Sequence, residues 1–234
     1  MLNYLWEVAK GISWSSAASI VFGAAIGATV SYILQRNSFA EAQRQKEKDR
    51  FELRKAHAYS LFFKMLRIYS NLAILQKSIK QTPKKTTADE GKLAGPWQNT
   101  LPLANLPDRV KFTSDEMALL LSLNTLLFND LGPLDDVHNG VIDVFEMYRA
   151  KRASVMELFS AEMDGNLGTT TFTKEQHDRL APRVAELNML IEAMAERTEG
   201  DSKEAWSLLK RIHKLFVKEF DFHPKLQLKE PATA

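Results

Sequence analysis

Residues 57–80 read HAYSLFFKMLRIYSNLAILQKSIK and contain neither glycine nor proline. Apolar residues recur here at alternating intervals of four and three, which is the spacing of one face of an α-helix. They are Leu61, Met65, Ile68, Leu72, Leu75 and Ile79, and a parallel row holds Phe62, Leu66, Tyr69 and Ala73. An apolar face of this width is typical of a helix in a bundle rather than of a two-stranded coiled coil.

Two further helices follow toward the middle of the chain. Thr113 with Glu116 three residues later is a capping-box signal, and it predicts a helix to about Phe128. After the NDLGPLDD turn, a second apolar pattern predicts a helix from about Asp135 to Met163.

The last part of the chain repeats the same start signals. Thr173 with Gln176 predicts a helix to about Arg197, and Asp201 predicts the start of a last helix to about Phe220. We therefore expect an all-α fold in which residues 57–222 form a cytoplasmic antiparallel bundle of four or five helices, followed by a flexible tail, 223–234.

A long loop, residues 81–112, interrupts the helical pattern. It holds four prolines, two glycines and a basic pair, which break helices. Trp97 stands in this loop. It is either an anchor for a partner protein or a side chain that fastens the loop to its own domain.

Residues 36–56, before the bundle helix, are expected to form a basic juxtamembrane helical stalk, because residues 41–55 within them are mixed-charge and nearly free of apolar groups. They hold the basic juxtamembrane residues Arg36, Arg44, Lys46, Lys48, Arg50, Arg54 and Lys55. These bases attract anionic lipid headgroups, or they serve as an orientation signal on a solvated face.

Further upstream, the chain carries no charge from Trp14 to Leu34, a run of 21 residues. As a helix this run would measure roughly 30 Å, the thickness of a bilayer's hydrocarbon core. We expect residues 14–35 to form a single transmembrane helix in the cell (inner or plasma) membrane. The bases that follow it predict a cytoplasmic C-terminal domain and a short extracytoplasmic N-terminus, residues 1–13. A cleaved signal peptide is the alternative, but Glu7 and Lys10 leave its n-region without a positive excess.

Small residues recur every fourth position in the predicted membrane helix. They are Ser15, Ser19, Gly23, Gly27 and Ser31, and the two glycines make a GxxxG pair. Such a stripe lets two backbones approach closely, so we expect homo-oligomers that form through this helix. A hydroxyl-lined pore of several copies is a further alternative.

Composition excludes several classes of function. The chain has no cysteine, which rules out disulfide scaffolds, Cys-ligated zinc and cysteine nucleophiles. A net charge of +2 over 234 residues gives no reason to expect nucleic-acid binding. The nucleotide-binding, nucleophile-elbow and zinc-protease motifs are all missing, so we expect neither an enzyme nor a bound cofactor.

Two patterns suggest a metal site without establishing one. Asp135 and His138 lie on adjacent turns of a predicted helix, a pair more typical of a cap with a solvated side chain than of metal ligands. Residues 164–175, DGNLGTTTFTKE, have the length of an EF-hand loop and the acids at both of its ends. Thr169 replaces the glycine that the EF-hand turn requires, so we expect no metal ligand in either place.

The function that these features predict is that of a membrane-anchored interaction, signalling or scaffold module with an unknown protein partner. The alternative is a membrane effector whose assembled anchors perturb or permeabilise the bilayer when the soluble domain senses a signal. An enzyme with a site assembled from scattered residues of the bundle is the least favoured class.

Overall fold

The computed structural model describes residues 14–80, 95–158, 162–164, 167–169 and 173–224. Side chains are described for these residues except 14–18, 20, 99 and the two strands. The chain divides into two compact units, Met1–Arg54 and Lys55–Ala234.

The described elements are nearly all helices. In chain order they are α1 (Trp14–Lys80), the one-turn α2 (Pro96–Asn99), α3 (Ser114–Leu123), α4 (Thr125–Leu131), α5 (Leu134–Met156), the strands β1 (Glu162–Asp164) and β2 (Leu167–Thr169), and α6 (Lys174–Phe220). The strands form one small antiparallel hairpin. The prediction of an all-α bundle is confirmed.

The core of the second unit forms along the apolar rows of α1. All six residues of the first row are buried, and Phe62 of the second row is completely buried. They pack with apolar residues of α3, α5 and α6, such as Leu120, Phe145 and Leu209. Burial of side chains of this size stabilises a fold by about 1.5–3 kcal/mol each, which makes this interface the main source of stability.

Side-chain pairs fix the directions of the long helices. Lys80 pairs with Glu199, and Tyr69 stacks on Trp206 further along, so α1 and α6 run antiparallel. Lys151 pairs with Glu186, while Gly140 lies beside Arg197, so α5 and α6 are antiparallel too. Helices α1 and α5 are therefore parallel to each other, which differs from a simple up-and-down order.

The C-terminal end of α6 closes the core. Asp221 has φ 50°, a left-handed conformation that ends the helix and turns the chain back. The next residue, Phe222, is completely buried, with its ring 4.5 Å from that of Tyr59 and 4.8 Å from that of Phe62. Of the tail 223–234, residues 225–234 lie outside the described part, as do residues 1–13.

Both predicted capping boxes are present. The Thr113 hydroxyl accepts from the Glu116 amide at the start of α3, and the Glu116 carboxylate accepts from the Thr113 amide. Thr173 and Gln176 exchange the same two bonds at the start of α6.

Three predicted helix boundaries are wrong. Helix α3 ends at Leu123 because the Asn124 side chain caps a new helix, α4, by accepting from the Leu127 amide. Helix α5 ends at Met156 rather than Met163, and the hairpin follows it. The break expected between Arg197 and Asp201 does not exist, since α6 continues through it without interruption.

The first unit contains the N-terminal part of α1, where every described side chain from Val21 to Arg54 is exposed. Among the described residues, no helix combines the length and the apolarity that crossing a membrane requires. Gly23, Gly27 and Thr29 dilute the apolar character of this part of the helix, and the structure does not support the transmembrane part of the prediction for residues 14–35.

Candidate functional site

The small-residue stripe lies on an open helix surface. Among the residues that the structure describes, a Cβ atom added to Gly23 or Gly27 would have no neighbour within 4 Å. Ser19 and Ser31 are exposed, and the side chain of Ser15 lies outside the described part. Within one copy of the chain, the described part of this stripe is therefore available for contact with another helix.

The basic residues of the stalk lie on the same helix, further along. Arg36, Arg44, Lys46, Lys48, Arg50 and Arg54 are exposed, and Lys55 is half-buried. Phe39 is 70% exposed among them. The stalk thus presents cationic groups and a large apolar ring to its surroundings.

Trp97 lies inside the second unit and not at its surface. Its residue is 4% exposed, and the Arg152 guanidinium lies 6.0 Å from its ring centroid. Its backbone amide donates to Asn188 Oδ1 at 3.1 Å. The interpretation as a partner anchor is wrong because the ring is inaccessible; Trp97 fastens its loop to α5 and α6.

Tyr148 strengthens the same attachment. Its buried hydroxyl donates to the Thr100 carbonyl at 2.6 Å, next to α2. Burial raises the pKa of Tyr148 to about 12, despite the opposing charge and hydrogen bond of Arg152. The group therefore remains a neutral donor at physiological pH and has a structural role.

Glu116 joins α1 to α3 through a buried ion pair. The residue is 1% exposed, and its carboxylate accepts from Lys64 Nζ at 2.8 Å and Ser60 Oγ at 2.5 Å, besides the Thr113 amide at 2.7 Å. Burial alone would raise the pKa of Glu116, but these hydrogen bonds and the Lys64 charge outweigh it and hold the pKa below its usual value. The carboxylate is thus charged and fully engaged.

His138 occupies a second buried polar cluster, between α1 and α5. Its ring is inaccessible to solvent, with Nε2 3.1 Å from Asn71 Nδ2 and Nδ1 3.1 Å from Asn139 Oδ1. Burial lowers the pKa of His138, although the Asn139 hydrogen bond and the Asp135 charge oppose this. The histidine is therefore neutral at pH 7.

Asp135 is also buried, so the expectation of a solvated side chain at this position is wrong. Its Oδ2 accepts from the Phe112 amide at 3.1 Å. A carboxylate here satisfies a loop amide that burial would otherwise leave without a partner.

A shallow groove of about 330 Å³ lies between the loop and α5. Its charged residues pair with each other: Arg109 with Asp143 and Glu146, and Arg149 with Glu146. It is lined by Ala104, Asn105, Leu106, Pro107, Arg109, Ile142, Glu146 and Arg149. Both arginines of the groove are therefore paired with acidic side chains.

The described residues contain no group of three or more histidine and acidic side chains able to hold a metal ion. In the EF-hand-like segment, Asp164 pairs with Leu167 in the hairpin, and Glu175 lies in the first turn of α6. Asn166 and residues 170–172 lie outside the described part. A paired strand in place of the first ligand position differs from a calcium-binding loop.

Comparison with protein-family models, with curated proteins and with solved structures finds no match to this chain.

Proposed function

We propose that this protein is a membrane-anchored interaction module, in which α1 holds a helical bundle at the inner face of the cell or plasma membrane. The bundle acts as a signalling or scaffold domain toward a protein partner, and copies associate through the small-residue stripe. Residues 1–13 lie outside the cell and the bundle in the cytoplasm, with no role in nucleic-acid binding.

One observation carries the proposal: the N-terminal part of α1 exposes several large apolar side chains. Val21, Phe22, Ile26, Ile33 and Leu34 are each more than half exposed. A cluster of exposed large apolar side chains needs either a protein partner or a bilayer to cover it. The uncharged run from Trp14 to Leu34, with charges only beyond its ends, favours the bilayer.

The hydrogen bond of Thr29 agrees with a lipid environment. Its hydroxyl donates to the Ala25 carbonyl of the same helix at 2.8 Å, so this polar group needs no water. Backbone and hydroxyl groups must be satisfied within the helix when lipid surrounds it.

Self-association follows from the same surface. Seven strongly apolar residues and several small ones make a weakly hydrophobic span, which gains from packing against another helix. The open space beside Gly23 and Gly27 allows the close backbone approach that this packing needs.

The mass of the full-length protein in lipid nanodiscs tests this association. We expect a defined oligomer for the wild type and a monomer for a Gly23→Ile, Gly27→Ile double variant, because the added side chains separate the backbones. A matched control, Ala25→Ile with Thr29→Ile, adds bulk to the opposite side of the helix and should keep the wild-type mass. A monomeric wild type would refute assembly through the stripe.

Orientation is testable because the chain has no cysteine. Single variants Asn3→Cys and Ser207→Cys can be treated in intact cells with a maleimide that does not cross membranes. We expect Asn3→Cys to be labelled and Ser207→Cys to be protected until the cells are lysed. The reverse pattern would place the bundle outside.

A second candidate is a membrane effector whose anchors assemble into a pore. The exposed hydroxyl of Ser31, in line with the two glycines, favours it over a purely apolar interface. Ion flux through proteoliposomes that contain the full-length protein separates the two functions: an effector conducts ions and a scaffold does not.

A further inference from the structure

Residues 107–113, called the strap from here on, cross the bundle between α2 and α3. The strap carries two buried apolar side chains, Val110 and Phe112. It also carries Arg109, which pairs with Asp143 and Glu146 on α5. The contacts that hold the strap in place therefore keep Val110 and Phe112 buried and keep Arg109 at the wall of the groove.

Four hydrogen bonds attach the strap backbone to side chains of the long helices. Asn71 Nδ2 on α1 donates to the Asp108 carbonyl at 3.2 Å. Asn139 on α5 both accepts from the Val110 amide at 3.1 Å and donates to the Val110 carbonyl at 2.8 Å. Asp135 accepts from the Phe112 amide. Two of these side chains, Asn71 and Asn139, also contact the His138 ring.

The strap carbonyls and amides determine where the His138 proton is. Asn71 must point its NH₂ group toward the Asp108 carbonyl, and the same nitrogen faces His138 Nε2, so Nε2 accepts. Asn139 must point its oxygen toward the Val110 amide, and this oxygen faces His138 Nδ1, so Nδ1 donates. A neutral ring with its proton on Nδ1 satisfies every member of this cluster.

A second proton on the ring has no acceptor. It would be added to Nε2 and would face the NH₂ group of Asn71, donor against donor. Rotation of the Asn71 amide would present Oδ1 to Nε2, but the same oxygen would then face the Asp108 carbonyl, acceptor against acceptor, and the Asn71 hydrogen bond to the strap would be lost. Solvent cannot accept the proton either, because the ring is fully buried.

We propose that His138 is a pH-operated latch: the protonated ring faces the Asn71 NH₂ group, so protonation favours the state in which the strap has left α1 and α5. Release uncovers Val110 and Phe112 and frees Arg109 from the wall of the groove. The device would expose an apolar surface in response to acidification, and it does not depend on the membrane proposal.

The charges around the ring determine whether the latch opens. On α5, the Asp135 carboxylate attracts a protonated His138 ring. Burial lowers the pKa of the ring more than the Asp135 charge raises it. On α1 and the strap, Arg67 and Asp108 neutralise each other. On α6, Arg197 and Asp201 form another pair, near Gly140. Protonation of His138 therefore depends mainly on the burial of its ring and on the Asp135 charge.

Amide hydrogen exchange of the full-length protein in detergent micelles tests the proposal. Exchange of Val110 and Phe112 would be followed by NMR at pH 7.5, 6.5 and 5.5 and corrected for the intrinsic pH dependence of exchange. We expect the opening equilibrium of the strap to rise between pH 7.5 and 5.5, by at most about tenfold, because the released histidine takes up a proton near its ordinary pKa of 6.5 and burial lowers the pKa of the enclosed ring. Amides inside α4, such as Phe128, should keep their protection.

Two variants and one further measurement complete the test. His138→Gln removes the titration and should make strap exchange independent of pH, whereas His213→Gln, on α6 and away from the strap, should behave as the wild type. Equal pH dependence in His138→Gln, a constant wild-type opening equilibrium, or a parallel loss of protection at Phe128 would overturn the proposal. Independently of any variant, ¹⁵N shifts of the wild-type ring should show the proton on Nδ1 at pH 7.5; a proton on Nε2 would also overturn it.

Discussion

At the scale of single residues, the Glu116 carboxylate accepts three hydrogen bonds from other residues. It is buried, and it accepts hydrogen bonds from Lys64, Ser60 and Thr113. Glu116→Gln replaces one acceptor oxygen by a donor and removes the charge that Lys64 neutralises. We expect the free energy of unfolding at pH 7 to fall by about 1.5–3 kcal/mol, measured by urea denaturation.

The stability difference between the wild type and Glu116→Gln should depend on pH in a defined direction. Because the folded protein holds the pKa of Glu116 below its ordinary value of 4.5, the stabilisation is present above pH 4.5 and is lost as the pH falls through the folded pKa. The difference between wild type and Glu116→Gln should therefore shrink below pH 4.5. Glu186→Gln is the control: its pair with Lys151 has the same 2.8 Å separation but is exposed, so we expect a loss of at most about 0.5 kcal/mol. Equal losses in the two variants would contradict the account.

Gly95 is required by a close approach. A Cβ atom at this position would lie 2.3–2.6 Å from the Asn188 side chain, which accepts from the Trp97 amide. Gly95→Ala must displace Asn188 and break that bond, so we expect a loss of about 1–3 kcal/mol in unfolding free energy. Gly132→Ala, where the nearest atom would be 3.4 Å away, should change stability little. An unaffected Gly95→Ala protein would show that Asn188 does not hold the loop.

The charged Asp201 side chain is expected to lower the free energy of unfolding. Burial raises the pKa of Asp201, the Arg197 charge opposes this shift and the Glu204 charge adds to it. Its Oδ2 has no hydrogen-bond partner among the described residues. A raised pKa means that folding disfavours the charged form, so Asp201→Asn should stabilise the protein at pH 7, by on the order of 1 kcal/mol. Thermal unfolding at pH 7 measures the change. Arg197→Gln should have the opposite effect, and a destabilised Asp201→Asn protein would show that the Arg197 pair outweighs burial.

Residue patterns predict local contacts better than distant ones. Thr113 and Thr173 were identifiable as caps because their partners are three residues away, a distance fixed by the helix itself. The roles of Asn71 and His138 depend on a contact across 67 positions, and no local pattern signals it. For Trp97 the sequence leaves two alternatives, a partner anchor or an attachment of the loop to its own domain. The buried ring agrees with the second.

At the scale of elements, α6 is the clearest test of helix continuity. The sequence around Gly200 suggests a break, yet the helix runs from Lys174 to Phe220 without one. In the described part of the chain, a Cβ atom at Gly200 would have no neighbour within 4 Å. Gly200→Ala should therefore stabilise the protein by up to about 1 kcal/mol, because alanine favours a helix interior over glycine. Thermal unfolding measures it. A loss of stability would indicate that the helix does end near this residue.

Tertiary packing explains why α6 continues through Gly200. Residues on both sides of Gly200, among them Met194, Thr198 and Ala205, are buried against the bundle. Tertiary contacts of this kind override a local cost of about 1 kcal/mol. The opposite happens at Asn124, where a good cap ends α3 although apolar residues continue on both sides.

At the scale of the whole molecule, the bundle follows from the apolar rows of α1, and the sequence was sufficient to predict it. The relative directions of α1 and α5 were not predictable, because a connection as long as residues 81–112 is compatible with either direction. The membrane anchor remains a prediction, since it rests on the uncharged run and on the exposed apolar side chains of α1.

Membrane extraction tests the central claim most directly. The full-length protein and a Val21→Lys, Ile26→Lys variant would be expressed, and their membranes would be washed with alkaline carbonate and floated on a density gradient. We predict that the wild type stays in the membrane fraction and that the variant is released, because each lysine near the middle of a span costs about 2.5–3.5 kcal/mol. A matched Ile68→Lys change in the buried row of α1 should impair folding of the bundle without releasing the anchor. Release of the wild-type protein by carbonate would contradict the membrane anchor.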